Sequence, residues 1–399
     1  MKHATVGDSL VIFAEGRWDA NAQQRTESEI MELMKTIPAE CTTVILDMEK
    51  LTYISSSGLR ILLMLKNTSE RKLQIRNVSM EVYDILQMTG ITELLEIFRK
   101  PRTISIEGCE LIGSGGMGDV YCLNPDTIVK VYRCPEDEAM AVISREHEKS
   151  RIAFTNGIPT AISYDMVKVG DRYGSVFELV GATTFHSIFQ KDPFNGESII
   201  KQYVDLIKSL HATEIRPGLL PSASEQMLRE LDFIKSLLTE EQAVRIRELL
   251  EDLPQDNHLV HGDPQMKNMM LSADGPYIID MEMLATGQGI FDLQAMYVTY
   301  QAFREDDPQG RVQFLQLTPE ACDFLWNRIL VNYFGTEDSQ FLNRVQDEIR
   351  VVAYVHFLYL LKFLHLDGDE TGRIQIRHSV QHLEELLPKV GRLNSWSLE

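Results

Sequence analysis

The chain has 399 residues, of which 44% are apolar and 25% are charged, as in ordinary soluble globular proteins. This length is enough for two or three domains, each with its own core. The formal net charge of −20 argues against a nucleic-acid binder, because a phosphate backbone requires a basic face. Small phosphate ligands remain compatible with this charge, since glycines, one lysine and metal ions can hold them locally.

The cysteines and the apolar segments indicate the cellular compartment. The five cysteines are odd in number and form no CxxC pair, which is typical of structural thiols in a reduced, cytoplasmic compartment. No signal peptide is evident at the N-terminus. The longest nearly apolar run, residues 351–364, contains His356 and Lys362 and is shorter than a bilayer span. We therefore expect a buried helix there and no membrane association.

Strands alternate with helices in the first hundred residues, which predicts an α/β layer. Apolar runs and helical spacing predict three strands and three helices. The strands are residues 9–16, 43–47 and 73–75, and the helices are residues 21–37, 56–66 and 80–88.

The stretch LDMEKLTYISSSGLRILL, preceded by GRWDA, resembles the STAS fold of bacterial anti-sigma factor antagonists. In that family a serine or threonine directly before a Gly-Leu pair is phosphorylated by a partner kinase, which makes Ser57 the candidate phosphosite. A phosphate there would lie at the positive end of a helix. The alternative is that Ser55, Ser56 and Ser57 only cap this helix. The resemblance implies a possible regulatory protein partner in bacterial signalling.

A glycine-rich string, IGSGGMGDV, follows the short basic linker RKPR at residues 99–102 and ends at Val120. Glycines let a backbone approach phosphates closely, although a plain turn also explains such a string. The next predicted strand, residues 127–131, carries Lys130 in apolar surroundings, where a lysine is costly unless it meets an anion. Together these features indicate a phosphate site, with the glycines Gly113, Gly115, Gly116 and Gly118.

The stretch LVHGDPQMKNMMLSADGPYIIDME, residues 259–282, carries three oxygen-bearing side chains, Asp263, Asn268 and Asp280. GPY is predicted to make the turn of a hairpin whose second strand, residues 277–279, leads to Asp280. One carboxylate can accept a proton, while the amide and the second carboxylate hold Mg²⁺. These are the groups that phosphoryl transfer requires, although an ordinary polar hairpin is the alternative.

The spacing of five residues from Asp263 to Asn268 matches the catalytic loop of kinases, but the residues read HGD rather than HRD and IDME rather than DFG. With these departures the stretch resembles the aminoglycoside phosphotransferase and choline kinase superfamily. The resemblance implies that Asp263 accepts or orients the proton of the acceptor and that Asn268 and Asp280 hold Mg²⁺. His261 either orients the loop or is a packed histidine. Asp292, in GIFDLQ, matches an acid that braces the catalytic loop in these relatives.

The same resemblance implies that Lys130 contacts the phosphates of ATP and pairs with a glutamate of a helix predicted over residues 136–156. We choose Glu146 for this glutamate. The strand predicted over residues 174–180 leads to Gly181, and the backbone of Glu178 and Val180 would bind the adenine edge. Two other acids compete with the chosen glutamate: Glu138 and Glu148.

The sequence thus predicts an α/β STAS domain over residues 1–100 and an α+β bilobal protein-kinase-like domain. Residues 101–180 are its N-lobe, and residues 181–399 are its largely helical C-lobe. Acids at positions 305–307 and 367–370 either hold a cationic acceptor or are solvated. We expect ATP- and Mg²⁺-dependent phosphorylation of a small-molecule hydroxyl, regulated through the STAS domain. Two alternatives stay open: a protein serine kinase acting on a residue such as Ser57, and a nucleotide-sensing scaffold in an anti-sigma partner-switching pathway.

Overall fold

The computed structural model of the protein describes residues 1–38, 41–69, 71–115, 117–161, 163–179, 181–307 and 314–398. Two predicted nucleotide-site residues, Gly116 and Val180, lie outside these described residues. The chain divides into two units, Met1–Ser105 with Asp165–Asp171 and Ile106–Tyr164 with Arg172–Glu399. In the described part of the chain, none of the helices combines the length and the apolar character that a membrane span requires.

The first unit is built on a five-stranded sheet. Its strands are β1 (His3–Val6), β2 (Ser9–Trp18), β3 (Thr43–Ile54), β4 (Lys72–Val78) and β5 (Glu96–Arg99). They are ordered β1–β2–β3–β4–β5, and only the β1–β2 pair is antiparallel. The helices are α1 (Gln23–Lys35), α2 (Ser56–Thr68) and α3 (Met80–Met88), followed by a 3₁₀ turn at Ile91–Glu93. This alternation confirms the predicted α/β class.

The six elements predicted for this unit are all present, but the sequence did not indicate how far β3 extends. A loop was expected after residue 47, whereas β3 continues to Ile54 with Met48, Leu51 and Ile54 buried. Register shifts in the β2–β3 ladder change the regular alternation of buried and exposed positions, so this part of the strand lacks a period of two. The short strands β1 and β5 were not predicted.

The second unit begins with antiparallel strands and one long helix. The strands are β7 (Glu110–Ser114), β8 (Gly118–Asn124), β9 (Thr127–Tyr132) and β11 (Arg172–Glu178), and they pair in the order β7–β8–β9–β11. The helix α4 (Glu136–Thr155) agrees with the predicted helix. Two further strands are β6 (Arg102–Ile104), in the first unit, and β10 (Ser163–Val169), whose residues 167–169 pair in parallel with β6.

The remainder of the second unit is largely helical, as predicted. Its helices are α5 (Phe185–Lys191), α6 (Glu197–His211), α7 (Ala223–Ile234), α8 (Glu240–Glu251), α9 (Ile290–Tyr297), α10 (Phe303–Asp306), α11 (Pro319–Phe334), α12 (Ser339–Phe363) and α13 (Glu370–Leu386). A π-helical turn, Val298–Ala302, joins α9 to α10. Residues 351–363 form the second half of α12 and are mostly buried, which confirms the predicted core helix. Short strands complete the unit: β12 (Ala182–Thr184), β13 (Leu259–Val260), β14 (Met269–Ser272), β15 (Gly275–Ile278) and β16 (Ala285–Thr286).

The predicted hairpin is formed by β14 and β15, but its turn lies one step earlier than expected. Gly275 and Pro276 belong to the ladder, where they face Ser272 and Leu271, so the assignment of GPY to the turn is wrong. The turn is made by Ala273 and Asp274, because the Ser272 hydroxyl accepts the Asp274 N–H at 3.1 Å. Proline is tolerated in β15 because this is an edge strand.

Candidate active site

A cavity of about 340 Å³ in the second unit is lined by residues of β7, β8, β9 and β11 and by residues beside the β14–β15 hairpin. Much of its wall is apolar, including Ile128, Phe177 and Met270, which suits a flat aromatic base. Charged and amide groups lie in the same wall. Seven of the predicted site residues line the cavity: Gly113, Val120, Lys130, Glu146, Glu178, Asn268 and Asp280.

Lys130 is the residue that connects the separate acids of this cavity. Its Nζ lies 3.0 and 3.2 Å from the two carboxylate oxygens of Glu146 and 3.3 Å from Oδ1 of Asp280. Burial lowers the pKa of Lys130, but the charges of Glu146 and Asp280 outweigh it, so the net pKa is raised. Residues 130, 146 and 280 of the sequence therefore meet at one ammonium group.

Glu146 is held by more than the lysine. It is 2% exposed and also accepts a hydrogen bond from the hydroxyl of Tyr132 on β9. Burial, together with the neighbouring charge of Glu146, raises the pKa of Tyr132, so this hydroxyl stays a donor. The competing acid Glu148 is exposed. The partner of Lys130 on α4 is Glu146, the glutamate chosen from the sequence.

The described glycines of the glycine-rich string, Gly113, Gly115 and Gly118, lie where β7 ends and β8 begins. The Gly115 N–H donates to the carbonyl of Gly118 at 2.9 Å and closes the turn. A Cβ added to Gly118 would lie 2.4 Å from the carbonyl oxygen of Val131, so only glycine fits there. Arg133 fixes the turn, because its guanidinium donates to the carbonyl of Gly115 at 2.7 Å and to Asp119 at 2.5 Å. Arg133 was not among the site residues predicted from the sequence.

The predicted adenine-binding segment lies at the end of β11. Phe177, Glu178 and Leu179 line the cavity. The Leu179 N–H is already engaged, since it donates to the carbonyl of Asp126 at 2.8 Å. The backbone groups predicted to bind adenine, on Glu178 and Val180, remain predictions, and Val180 is outside the described residues.

Asp263 lies beside Asn268, as its spacing along the loop suggests. The Nδ2 of Asn268 donates to the carbonyl and to Oδ2 of Asp263, each at 2.9 Å. Gln265 Nε2 donates to the same Oδ2 at 2.8 Å. These bonds orient the carboxylate through one oxygen, so that Oδ1 is the atom that can accept a proton. They also fix the amide of Asn268, which makes its oxygen the atom that can coordinate a cation.

Asp292 holds the backbone of this loop from α9. Its carboxylate is fully buried and accepts the N–H groups of His261 at 2.9 Å and Gly262 at 2.7 Å. His211 Nε2 donates to it at 2.8 Å. Burial alone would raise the pKa of Asp292. The hydrogen bond from His211 and the charge of His211 lower it by more, so the net pKa is lowered. The acid predicted to brace the loop is thus bonded to the loop.

His261 is a fully buried residue that links the loop to the hairpin. Its Nε2 donates to the carbonyl of Ile279 at 3.1 Å, and its Nδ1 accepts the N–H of Asp263 at 3.2 Å. It is therefore both packed and orienting, so the two interpretations of this histidine are not exclusive. Hydroxyls add further support: Tyr203 donates to the carbonyl of Pro264, and Tyr300 accepts the N–H of Met266.

Asp280 adopts an unusual backbone conformation. Its φ and ψ are 63° and 62°, in the left-handed region that costs a non-glycine residue about 1–2 kcal/mol. The segment after it is held by Lys149 of α4, whose Nζ donates to the carbonyl of Glu282 at 2.5 Å. Lys149 lies one helical turn after Glu146. Its bond to Glu282 therefore links the helix that carries Glu146 to the segment that follows Asp280. Lys149 was not predicted as a site residue, because its partner is a backbone atom 133 positions away.

The donor set at this cavity fits Mg²⁺ only together with a phosphate ligand. Within the described residues, no group of three or more His, Cys, Asp or Glu side chains is arranged to hold a metal ion. Asn268 and Asp280 offer one amide oxygen and one carboxylate. Mg²⁺ is usually bound in this way, through one or two protein carboxylates, water and substrate phosphates.

The acids of the C-terminal helices were expected either to hold a cationic acceptor or to be solvated. Glu305 is exposed but not isolated, because Tyr354 donates to its carboxylate at 3.0 Å and Tyr297 at 3.1 Å. His382 Nε2 lies 3.2 Å from it. Glu305 is therefore a partly solvated acid that is also held by protein side chains, and the binding of a cationic acceptor there remains a prediction. Asp367 pairs with Lys362 at 2.9 Å and is an ordinary surface ion pair.

Ser57 lies in the first turn of α2 rather than at its cap. The cap is Ser55, whose hydroxyl accepts the Ser57 N–H at 3.2 Å. Gly58 packs tightly, since an added Cβ would be 2.6 Å from Ile54 and 2.7 Å from the carbonyl of Trp18. The capping role is thus filled by Ser55, and the phosphorylation of Ser57 remains a prediction.

Comparison with protein families matches residues 108–325 to the phosphotransferase enzyme family and residues 3–104 to the STAS domain. Among solved structures, the gentamicin complex of APH(2")-IIa is 17% identical, with a TM-score of 0.44 over 77% of this chain and 97% of that chain. A choline/ethanolamine kinase family protein from Mesorhizobium loti is 16% identical, with a TM-score of 0.45 over 71% and 90%. Choline kinase from Cryptosporidium parvum is 14% identical, with a TM-score of 0.39 over 73% and 93%. No curated protein matches the sequence.

Proposed function

The chain belongs to the phosphotransferase enzyme family and carries an N-terminal STAS domain, and from this premise we propose that it transfers the terminal phosphate of ATP to a hydroxyl group of a small molecule. The observation that carries the proposal is the meeting of Glu146 and Asp280 at the ammonium of Lys130, in the cavity that Asn268 also lines. Such a site can bind a triphosphate and a cation together.

The roles of the residues follow from their contacts. Lys130, held by Glu146, would bind the phosphates of the nucleotide. Asn268 and Asp280 would hold Mg²⁺, which neutralises phosphate charge during transfer. Asp263 would accept the proton of the acceptor hydroxyl through Oδ1, since its other oxygen is engaged by Gln265 and Asn268. The hydroxyl oxygen forms a bond to the terminal phosphorus, the bond from phosphorus to ADP breaks, and ADP leaves.

We propose that the chain is divided into a STAS domain at residues 1–100, an N-lobe at residues 101–180 and a C-lobe at residues 181–399. We also propose that the STAS domain is regulatory. The STAS assignment supports this role.

The acceptor in our proposal is a small hydroxylated molecule rather than a protein. One observation distinguishes a small-molecule acceptor from a protein acceptor. Transfer of labelled phosphate to the chain itself, lost in Ser57→Ala, would support a protein kinase instead.

The test is a measurement of ADP release with ATP and Mg²⁺ against a panel of hydroxylated amines and sugars. We expect Asp263→Asn to lower turnover by about 10²- to 10⁴-fold, because it removes the proton acceptor. Asp252→Asn is the matched control, since Asp252 is exposed at the end of α8. Removal of Mg²⁺ with EDTA should abolish turnover, and its return should restore it. Undiminished turnover in Asp263→Asn would contradict the proposal.

A further inference from the structure

A second cavity, of about 290 Å³, lies in the same unit. It shares no lining residue with the cavity of about 340 Å³ around Lys130, which is called the nucleotide cavity below. Its wall is built by Lys149 of α4, Met227 of α7 and Gln294 of α9, together with Gly262 and Met283. Neither Lys130 nor Asp263 is part of this wall. A molecule bound here would therefore not present a hydroxyl group to the proposed proton acceptor.

The cavity nevertheless touches each segment that carries a proposed active-site acid. Lys149 is one helical turn after Glu146, and Gly262 directly precedes Asp263. Met283 is three residues after Asp280. Gly262 and Met283 are in contact, because a Cβ added to Gly262 would lie 2.7 Å from the Met283 Cβ. A ligand in this cavity would thus press on three segments at once.

The polar groups of the wall show what kind of ligand would fit. Gln294 is 4% exposed; its Nε2 donates to the carbonyl of Phe291 at 3.0 Å, and its Oε1 has no hydrogen-bond partner among the residues that the structure describes. A buried acceptor without a partner is destabilising, so it favours a ligand that supplies a donor. The ammonium of Lys149 donates a hydrogen bond to the carbonyl of Glu282 and has further protons for a ligand acceptor.

The charges in the wall disfavour an ionic ligand. Glu230 lines the cavity, is 3% exposed, and accepts hydrogen bonds from His356 Nδ1 at 2.7 Å and Gln226 Nε2 at 3.1 Å. Because Lys149 and Glu230 lie in the same wall, a cation or an anion would be attracted by one of them and repelled by the other, which leaves little net gain from charge. Both would also lose their hydration in a mostly apolar enclosure. A neutral molecule avoids each of these penalties.

We propose that this cavity is a regulatory site for a small neutral molecule that carries a hydrogen-bond donor and acceptor, as in a primary carboxamide, on an apolar body. The amide N–H would bind Gln294 Oε1, and its oxygen would bind the ammonium of Lys149. The second bond uses another proton of Lys149 but draws its ammonium away from the carbonyl of Glu282, so the ligand lowers turnover by loosening α4 from the segment after Asp280. Binding is independent of the proposed function, whereas the effect on turnover rests on it.

The test uses benzamide as the probe and the methionine methyl groups as reporters. Met227 and Met283 line this cavity, whereas Met270 lines the nucleotide cavity. In the full chain labelled with ¹³C-methyl methionine, benzamide at millimolar concentration should shift the Met227 and Met283 resonances saturably and leave that of Met270 in place. Benzoate and benzylamine have the same ring but carry a charge, and they should bind at least about tenfold more weakly.

Variants separate the parts of the proposal. Gln294→Leu keeps the size of the side chain and removes the acceptor, and we expect benzamide affinity to fall about fivefold. Gln381→Leu, on the exposed face of α13, is the matched control. In Lys130→Met, which the proposed function expects to lose turnover, the two methyl shifts should persist, so loss of activity does not obscure binding.

Three results would overturn the inference. Shifts confined to Met270, or no saturable shift at Met227 and Met283, would mean that the cavity does not take the probe. Equal binding of benzamide, benzoate and benzylamine would remove the chemical argument. Binding that leaves kcat/KM for ATP within about 20% of the ligand-free value would refute the regulatory role, where we expect at least a twofold decrease.

Discussion

The replacement of Asp292 by asparagine tests whether the catalytic loop is held by one buried carboxylate. The two oxygens of Asp292 accept three hydrogen bonds, from the backbone of His261 and Gly262 and from His211. An asparagine has the same shape but offers one acceptor and one donor. Its amide oxygen can replace Oδ2 and accept from His261 and His211. Its NH₂ group then faces the N–H of Gly262, and two buried donors are left opposite each other.

The expected cost follows from these contacts. Hydrogen bonds to a charged group contribute about 1.5–3 kcal/mol each, against about 1 kcal/mol for neutral ones, so the two retained bonds weaken by at least about 1 kcal/mol in total. The unpaired N–H of Gly262 adds about 1–3 kcal/mol. The free energy of unfolding should therefore fall by at least about 2 kcal/mol, against about 5–15 kcal/mol for a domain of ordinary stability. Because Gly262 adjoins Asp263, displacement of the loop should also lower kcat by about 10²-fold.

The assay is urea unfolding of the full chain, together with ADP release, for the wild type, Asp292→Asn and the exposed control Asp252→Asn. The pKa of Asp292 is lowered from the ordinary value of 3.8. The stabilisation from its carboxylate is therefore complete above that pH and is lost as the pH falls through the lowered pKa. The difference between wild type and Asp292→Asn should be constant at about pH 5–7 and shrink below pH 3.8. A variant within about 0.5 kcal/mol of the wild type, with full activity, would show that the loop does not depend on this carboxylate.

Three further predictions concern Glu146, Gly262 and Glu305. Glu146→Gln should lower kcat/KM for ATP about 10- to 100-fold, because Lys130 loses its buried partner, while the exposed Glu148→Gln should have no effect. Gly262→Ala should destabilise the protein by about 3 kcal/mol, from backbone strain at φ +84° and the clash of its Cβ, whereas Gly335→Ala, in open space at φ +68°, should cost about 1 kcal/mol in urea unfolding. For Glu305, burial raises the pKa but its histidine and tyrosine partners lower it below 4.5, so its stabilisation is present above that pH and lost as acid is added. Glu305→Gln should therefore flatten the pH dependence of urea unfolding below pH 4.5, and an unchanged profile would contradict this assignment.

The sequence was informative wherever the site depends on short spacing along the chain. Asp263 and Asn268 are five positions apart and hydrogen-bonded to each other. The choice of Glu146 over Glu148 was less secure, because acids two positions apart point to different sides of a helix. Nothing in the local sequence shows which side faces the sheet. That choice depends on the packing of α4, which buries Glu146 and exposes Glu148.

Contacts between distant parts of the chain could not be predicted from the sequence. The acid network of Glu305 joins residues that are 49 positions apart, with Tyr354, and 77 apart, with His382. No periodic pattern connects such positions, and in the sequence Glu305 resembles any other surface acid. The same holds for Lys149, whose partner is a carbonyl group. Backbone partners leave no trace in residue identity, so their donors look like surface lysines.

The glycine of HGD has a structural explanation that also accounts for its departure from the HRD pattern of protein kinases. Gly262 has φ +84°, a region that glycine adopts without strain, and its backbone lies against Met283. An arginine here would need both an unfavourable φ and space that the Met283 backbone fills, with its carbonyl oxygen 2.8 Å from the position of a Cβ. The loop is instead fixed by its own N–H groups on Asp292. Close backbone contact thus replaces a side chain, and it ties the segment before Asp263 directly to the segment after Asp280.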